Sequence, residues 1–371
     1  MKATTLNIAL AACTLSMGLA SAALAEADQH PTKVGTVDEF RPITDFCGDK
    51  PLRVAYSSGI SSDPWRQISK AEFELEAAKC PNIVETRYTD AQGSVEKQIS
   101  DITGLAAQGF DVIIVYPDGG ESLLRAMSQA MGLGAKVVPF YGGTSFPGTP
   151  GKDYVAMVTA DQNIEGKMAA EWIVEQLNGE GNVLMLGGAP GAVSTLNTYN
   201  GAMEVFKDYP GIKMLEDGPV TTNWDRAQYQ KVMTSLIAKH PEIDAVMSDY
   251  GIGSMGGLRA FEATETPIPL WTTRDGNELA CFWEANKEAN PDFQLFTTSA
   301  GTWLTRLALR KGVAAANDIE NDEPTIIIDP VIDNTASDDP KFAPICDPEL
   351  PPGAHVSTFT MTKEELQAVF N

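Results

Sequence analysis

The sequence predicts an α/β protein of two lobes, each a parallel sheet covered by helices on both faces. Short apolar, β-favouring runs alternate with segments of helical period from Leu52 to Ile328. Runs of that kind suit strands buried on both faces, as in parallel sheets crossed by helices. The alternation breaks once, at the Gly-, Pro- and Thr-rich residues 142–152, and then restarts. A chain of 371 residues with 43% apolar content has enough material for two such lobes.

The chain opens with an expected export signal over residues 1–25. Lys2 supplies the charged start, an apolar run follows from Leu6 to Leu24, and Ala23-Leu24-Ala25 is a small-x-small cleavage site before Glu26. Leu10-Ala11-Ala12-Cys13 resembles a lipoprotein box, but the apolar run continues well past it. Cleavage after Ala25 and release into the periplasm is the reading preferred over anchoring at Cys13. No later stretch is long and apolar enough to span a bilayer. Residues 26–50 are polar, without clear period, and read as an N-terminal arm.

The first strand–helix junction organises the rest. Leu52 to Tyr56 is a strand, and Ser57 to Ser62 a polar loop. Asp63 suits a helix N-cap and Pro64 the first helical position, where its missing N–H costs nothing. Trp65, Ile68, Ala71, Leu75 and Ala78 then mark one helix face. An indole, a carboxylate (Asp63) and a guanidinium (Arg66) thus meet at a strand's carboxyl end, where open α/β sheets bind ligands. That set suits a sugar or polyol; the alternative is a core Trp65 capping the sheet.

Strands follow at Ile83–Tyr88, Phe110–Tyr116 and Lys136–Tyr141, with helices marked by Val95, Ile99, Ile102 and Ala106 and by Leu123 to Met131. Asp118, in Pro117-Asp118-Gly119-Gly120, reads as a turn residue. After the break come strands at Tyr154–Thr159, Asn182–Leu186, Ile212–Leu215, Asp244–Ser248, Ile268–Thr273, Phe293–Thr298 and Thr325–Ile328. Helices between them are expected near 163–178, 194–208, 225–239, 254–264, 277–289 and 302–315. The tail from Asp333 is rich in Pro and Asp and ends in a short helix with a Thr362/Glu365 capping box.

Composition narrows the partners. Lys and Arg total 27 against 50 Asp and Glu, a net charge of −23. There is no basic footprint for nucleic acid. The three histidines (His30, His240, His355) lie far apart, the cysteine spacing matches no zinc pattern, and no metal is expected. With Cys13 removed, Cys47, Cys80, Cys281 and Cys346 remain, an even number that favours disulfides in an exported chain and allows three pairings.

Gly251-Ile252-Gly253-Ser254-Met255-Gly256 follows a strand, opens a helix and has Asp275 downstream. This is the dinucleotide fingerprint and raises an exported NAD(P)-dependent oxidoreductase. It falls late in the chain, outside a first βαβ unit, and its small residues equally suit close helix packing. The strand-end acids Asp63, Asp118, Asp249 and Asp275 raise glycosidase chemistry; as caps and hydroxyl acceptors they need no reaction. Trp271, Trp283 and Trp303 read as core, and Met203, Met214 and Met233 as packing.

Several landmarks together resemble the periplasmic sugar-binding proteins of the ribose- and galactose-binding type, which feed ABC importers. They are Asp63-Pro64-Trp65, Asn223-Trp224-Asp225-Arg226, the run His240 to Val246, Asp249 with Gly256-Gly257-Leu258-Arg259-Ala260, and Asp275-Gly276. The resemblance covers roughly residues 52–330. It implies the type I periplasmic binding protein fold with a three-crossover hinge, residues 51–157 plus 300–325 in the first lobe and 158–299 plus 326–371 in the second. It implies a monomeric clamp with no catalytic role and no cofactor, serving an importer or else a sensor or chemoreceptor. Trp65 and Trp224 fall where stacking plates sit, and Asp63, Asp249, Asp275 and Ser299 where edge groups sit. The chain departs from the ribose pattern at Arg66, at Tyr141-Gly142, near Thr198 and at Ser299. A sugar other than ribose, a polyol or another small polar ligand is therefore expected, with Arg66, Tyr141 and Thr198 as replacement contacts.

The lobes bear on the disulfides. Cys47 lies five residues before the first strand, and the first helix brings Cys80 back to the same end of the sheet. The family pattern sends the tail with Cys346 to the lobe of Cys281. The expected pairs are Cys47–Cys80 and Cys281–Cys346, each within one lobe.

Overall fold

The computed structural model describes residues 32–61, 63–357 and 360–371. The expected signal, its cleavage site and Cys13 lie outside the described residues. The arm begins with β1 (Val34–Gly35) and two 3₁₀ turns. It is less detached than its composition suggests: Ile43 and Phe46 are fully buried in the first lobe's core.

The first sheet follows: β2 (Leu52–Ser58), α1 (Pro64–Ala78), β3 (Ile83–Asp90), α2 (Val95–Ala107), β4 (Val112–Val115), α3 (Leu124–Gly132) and β5 (Lys136–Pro139). Its order is β3-β2-β4-β5, all parallel. Side chains alternate across it, as the two-residue period of a strand requires. Val54, Tyr56, Val112, Ile114 and Val138 face one core, and Ala55, Ile113, Val115 and Val137 face the other, under α2 and α3.

The chain crosses at β6 (Thr159–Ala160) into α4 (Gln162–Gln176), β7 (Glu180–Gly187), α5 (Val193–Phe206), β8 (Gly211–Met214), β9 (Val220–Thr221) and α6 (Arg226–Lys239). Then come β10 (Ala245–Ser248), α7 (Gly251–Ala263), β11 (Leu270–Arg274), α8 (Asn277–Asn286) and β12 (Leu295–Thr298). The chain returns with α9 (Leu304–Ala316), which packs on β4 and β5. It crosses a third time through β13 (Ile326–Ile327) into β14 (Val331–Asn334), and a tail ends in α10 (Lys363–Ala368). The second sheet runs β14-β12-β11-β10-β7-β8, with β9 also on β7. Among its described pairings only β14 is antiparallel. β1, β13 and β6 form a small sheet of their own. The crossing strand expected from Tyr154 is shorter because only Thr159 and Ala160 pair with β13.

The strand ends obey local chemistry. Asp63 caps α1 by accepting from the Arg66 N–H at 3.0 Å. Thr362 and Glu365 make the expected capping box on α10. The glycines of the GxGxxG stretch serve packing. A Cβ on Gly251 would lie 2.2 Å from the Arg274 carbonyl oxygen, and one on Gly256 2.0 Å from that of Arg226. Those neighbours fill the space that a dinucleotide fingerprint leaves for phosphate. Trp271 and Trp303 are fully buried, and Met233 of α6 is buried in the second lobe's core.

Two disulfides form, Cys47–Cys80 with Cα atoms 5.6 Å apart and Cys281–Cys346 with Cα atoms 4.5 Å apart. The tail expected on the second lobe also reaches the first: Leu366 and Ala354 are buried against Ile68 of α1.

β14 carries one costly group. Asp333 is 3% exposed and accepts from the Thr297 hydroxyl at 2.5 Å. Burial pushes its carboxyl up to about 7, against the Thr297 hydrogen bond and with help from nearby Asp275. The folded protein thus holds a proton that the unfolded chain releases near pH 4. Stability falls as pH rises from about 4 to about 7, because there the folded state binds more protons. Asp333→Asn should melt higher than the parent protein at pH 8, by about 2 °C or more. The gap should close at pH 4, as read by circular dichroism melts.

Candidate functional site

The carboxyl ends of the two sheets approach each other where the Arg274 guanidinium, at the end of β11, lies 5.8 Å from the ring centroid of Tyr141, which follows β5. On the first lobe, Arg66 at the start of α1 is buried and forks onto Asp118, with N–O distances of 3.0 and 2.7 Å. A third contact reaches Ser58 Oγ at 3.1 Å. The guanidinium lies 3.4 Å from the Tyr116 ring centroid. Burial works against its charge, but Tyr116 and Asp118 outweigh it and hold the proton. Asp118 lies in the turn after β4, as expected, but it is also the counter-ion of Arg66 and accepts from the Gly59 N–H at 2.9 Å. Trp65 is buried, packs beside Tyr116 and Tyr141, and donates its indole N–H to the Ala300 carbonyl at 2.7 Å.

On the second lobe, Trp224 is 38% exposed and sits in the left-handed region with φ 56°. Its ring lies on Gly188, where a Cβ would come within 2.0 Å of the indole. The indole N–H donates to Asp249 at 3.2 Å. Asp249 also accepts from the Thr195 hydroxyl and from Tyr229 at 3.4 Å. Burial pushes its carboxyl up, and the Thr195 and Trp224 hydrogen bonds pull the other way. Tyr250 follows at the mouth of α7. Burial and then the Asp63 charge push its hydroxyl up, with Arg66 opposing. Tyr250 thus lies within electrostatic reach of Asp63 and Arg66 at the start of α1.

Arg274 ends β11. It pairs with Glu165 of α4 and, at 3.0 Å, with Asp329. It also donates to the Ser299 carbonyl at 2.8 Å, and its guanidinium lies 5.8 Å from the Tyr141 ring centroid. Glu165, Thr198, Asp249 and Arg274 help line a cavity of about 340 Å³, counted to its open mouth.

Of the residues singled out in the sequence, Thr198 and Asp249 line this cavity and Trp224 bonds to Asp249, while Asp63 caps α1 beside Trp65 and Arg66, which pack with Tyr116, and Tyr141 stands between Trp65 and Arg274. Asp275 and Ser299 have their polar atoms already engaged. The Asp275 carboxylate accepts from the Ala300 N–H at 2.9 Å and from the Ser357 N–H and hydroxyl at 2.8 and 2.6 Å. Ser299 Oγ accepts from the Gly301 N–H at 3.2 Å and the Trp303 indole at 3.0 Å. Sequence reasoning missed Tyr116, Tyr250, Glu165 and Arg274. Each of the two tyrosines directly follows a strand or its Asp, a signal the strand-end rule could have used.

The charge balance is plain. Both guanidiniums are met by protein carboxylates, whereas Asp249 is met only by neutral donors. Among the described residues, burial and nearby charges, with no side-chain hydrogen bond, set the environment of the Tyr116, Tyr141 and Tyr250 hydroxyls. The groups left to meet a ligand are phenols, an indole face and carboxylates. Such groups pair with hydroxyls and reject anions.

Two parallel α/β lobes joined by three crossovers, with polar and aromatic groups facing each other across the gap, define the type I periplasmic binding protein fold. A family model described as periplasmic binding protein domain matches residues 54–282, and the chain belongs to that family. It is 30% identical over 207 residues to a xylitol-binding protein of Mycolicibacterium smegmatis, covering 55% of this chain and 57% of that one. It is 27% identical over 232 residues to a ribose import binding protein of Bacillus subtilis, covering 62% of this chain and 72% of the relative. Its match thus spans little more than half of the first of these relatives. The periplasmic binding protein of an arabinose ABC transporter from Shewanella sp. ANA-3 superposes with a TM-score of 0.65 at 20% identity, over 75% of this chain and 90% of that chain.

The Arg66–Asp118 fork yields a stability test. Asp118→Ala leaves a buried guanidinium without its main partner, which costs about 3 kcal/mol. Urea unfolding should show that loss, and Arg66→Met together with Asp118→Ala should recover part of it.

Proposed function

We propose that this protein captures a neutral sugar or polyol between its lobes and delivers it unchanged to an ABC importer. The observation that carries the reading is the cleft itself, where both lobes offer phenols, carboxylates and indole while both arginines are already neutralised. Trp224 is the stacking face, and its ring is held by Gly188 beneath and Asp249 at its N–H. Asp63, Asp249, Tyr141 and Tyr250 bind hydroxyls around the edge. Trp65 serves chiefly to pack the hinge, through its bond to Ala300. In this reading the first lobe comprises residues 51–157 plus 300–325 and the second 158–299 plus 326–371, with the clamp closing as a monomer in the periplasm. The names of the similar proteins, for xylitol, ribose and arabinose, agree with such a ligand.

A melting screen tests it. A ligand bound only by the folded state at 100 times its Kd adds about 2.7 kcal/mol. At least one of xylitol, D-ribose, L-arabinose or myo-inositol should raise the melting temperature, while ribose 5-phosphate and galacturonate should not. No shift with any neutral polyol, or a preference for the anions, would overturn the ligand class. Trp224→Ala should then cost at least about 2 kcal/mol of affinity by calorimetry, with the far-UV spectrum unchanged.

A further inference from the structure

The tail touches both lobes by different chemistry. Residues 346–357 are fixed to the second lobe. Cys346 is bonded to Cys281 of α8. Asn277 Oδ1 accepts from the Asp347 N–H at 2.9 Å, and its Nδ2 donates to the Asp347 and Leu350 carbonyls at 2.9 and 3.1 Å. Its backbone N–H donates to the Ala354 carbonyl at 2.9 Å. Ser357 closes on the Asp275 carboxylate with its N–H and its hydroxyl, at 2.8 and 2.6 Å.

The last residues hold the first lobe instead. The Thr360 hydroxyl lies 2.7 and 2.8 Å from the two carboxylate oxygens of Glu72 in α1. Leu366 of α10 is 3% exposed, buried with Ile68 of α1 and Ala354. Leu350, Met361, Val369 and Phe370 pack around that contact. The segment is thus covalent at one end and held by apolar burial and hydrogen bonds at the other. The three hinge crossings are continuous backbone that bends, whereas this fourth link meets the first lobe through non-covalent contacts alone.

We infer that the C-terminal segment is a strap. The Cys281–Cys346 bond anchors it on the second lobe, and α10 with Thr360 latches it onto α1 of the first, holding the clamp shut. Opening carries α1 away from α8 and the end of β11, so the latch must release for the cleft to open fully. Its anchor cannot release by thermal motion, which leaves the α10–α1 contact as the end that gives. Ser357 keeps the strap seated at the hinge, because it occupies the carboxylate that also holds the Ala300 N–H.

This inference rests on the two-lobed clamp proposed above but not on its ligand, so the test is made without ligand. Spin labels carried by non-natural side chains replace Ser100 of α2 and Lys231 of α6, both exposed and one in each lobe. Interlobe distances are then read by pulsed electron resonance on the full chain. Leu366→Asp should shift the distribution to longer distances and speed hydrogen exchange in α1, with a native far-UV spectrum. Phe370→Asp, at the rim of the same contact, is the second variant, and serves if Leu366→Asp does not fold. Unchanged distances in a natively folded variant would refute the strap. A failed ligand screen with lengthened distances would overturn the ligand class and leave the strap standing.

Discussion

One buried guanidinium holds the crossing region together. Arg274 meets a partner from each of the three places where the chain passes between lobes. Glu165 follows the first passage at β6, the Ser299 carbonyl opens the second after β12, and Asp329 follows the third at β13. A charge taken out of water is tolerable only with such partners close by. Burial works against the Arg274 charge, and Glu165, Tyr141 and Asp329 restore it and hold the proton firmly. The group therefore fixes where the three passages lie relative to one another. It also stands at the edge of the cleft, so the same charge sets the geometry of the hinge and part of the wall.

A second set of buried charges knits the first lobe. Glu72 and Glu76 of α1 face Arg306 and Arg310 of α9, and Glu323 completes the chain of pairs. Burial pushes the Glu72 carboxyl up against the pull of Arg306 and the Thr360 hydroxyl. The two helices come from opposite ends of the sequence. Charge complementarity makes their pairing selective in a way that apolar contact alone would not, since a wrong partner would leave a charge unmet.

The fold was legible in the sequence because its main signal is local. Alternation of apolar residues in β2 and β4, and helical spacing after Asp63, depend on neighbours within one or two turns. Of the candidate site, what was legible was placement at a strand end, as for Asp63 capping α1 and for Trp224 bonded to Asp249. What escaped depends on partners far away in the chain. Asp118 reads as a turn residue until Arg66, 52 positions away, is seen to need it. Asp275 reads as a ligand group until Ser357, 82 positions away, is seen to fill it. β14 was hidden because Asp333 and its polar neighbours look like loop, and only the Thr297 hydroxyl makes a buried acid there tolerable. Arg274 stands just past the apolar run Ile268–Thr273, and a charge closing such a run is itself a sign of a buried partner.

The route of the chain through the first sheet has a consequence for biosynthesis. The buried members of the core under α2 and α3 lie between Ala55 and Val137, with Phe146 packed at its edge. The core on the other face needs Trp303, Leu304, Leu307 and Leu309. A chain that emerges amino end first can finish one side of that sheet early, and α1 covers part of the other, but Val112 and Val138 must wait for α9 until β7 to β12 of the second lobe have been made. Contacts between such distant segments form slowly. The nascent protein therefore spends much of its synthesis with one face of this sheet only partly covered, and the larger core of the first lobe locks late.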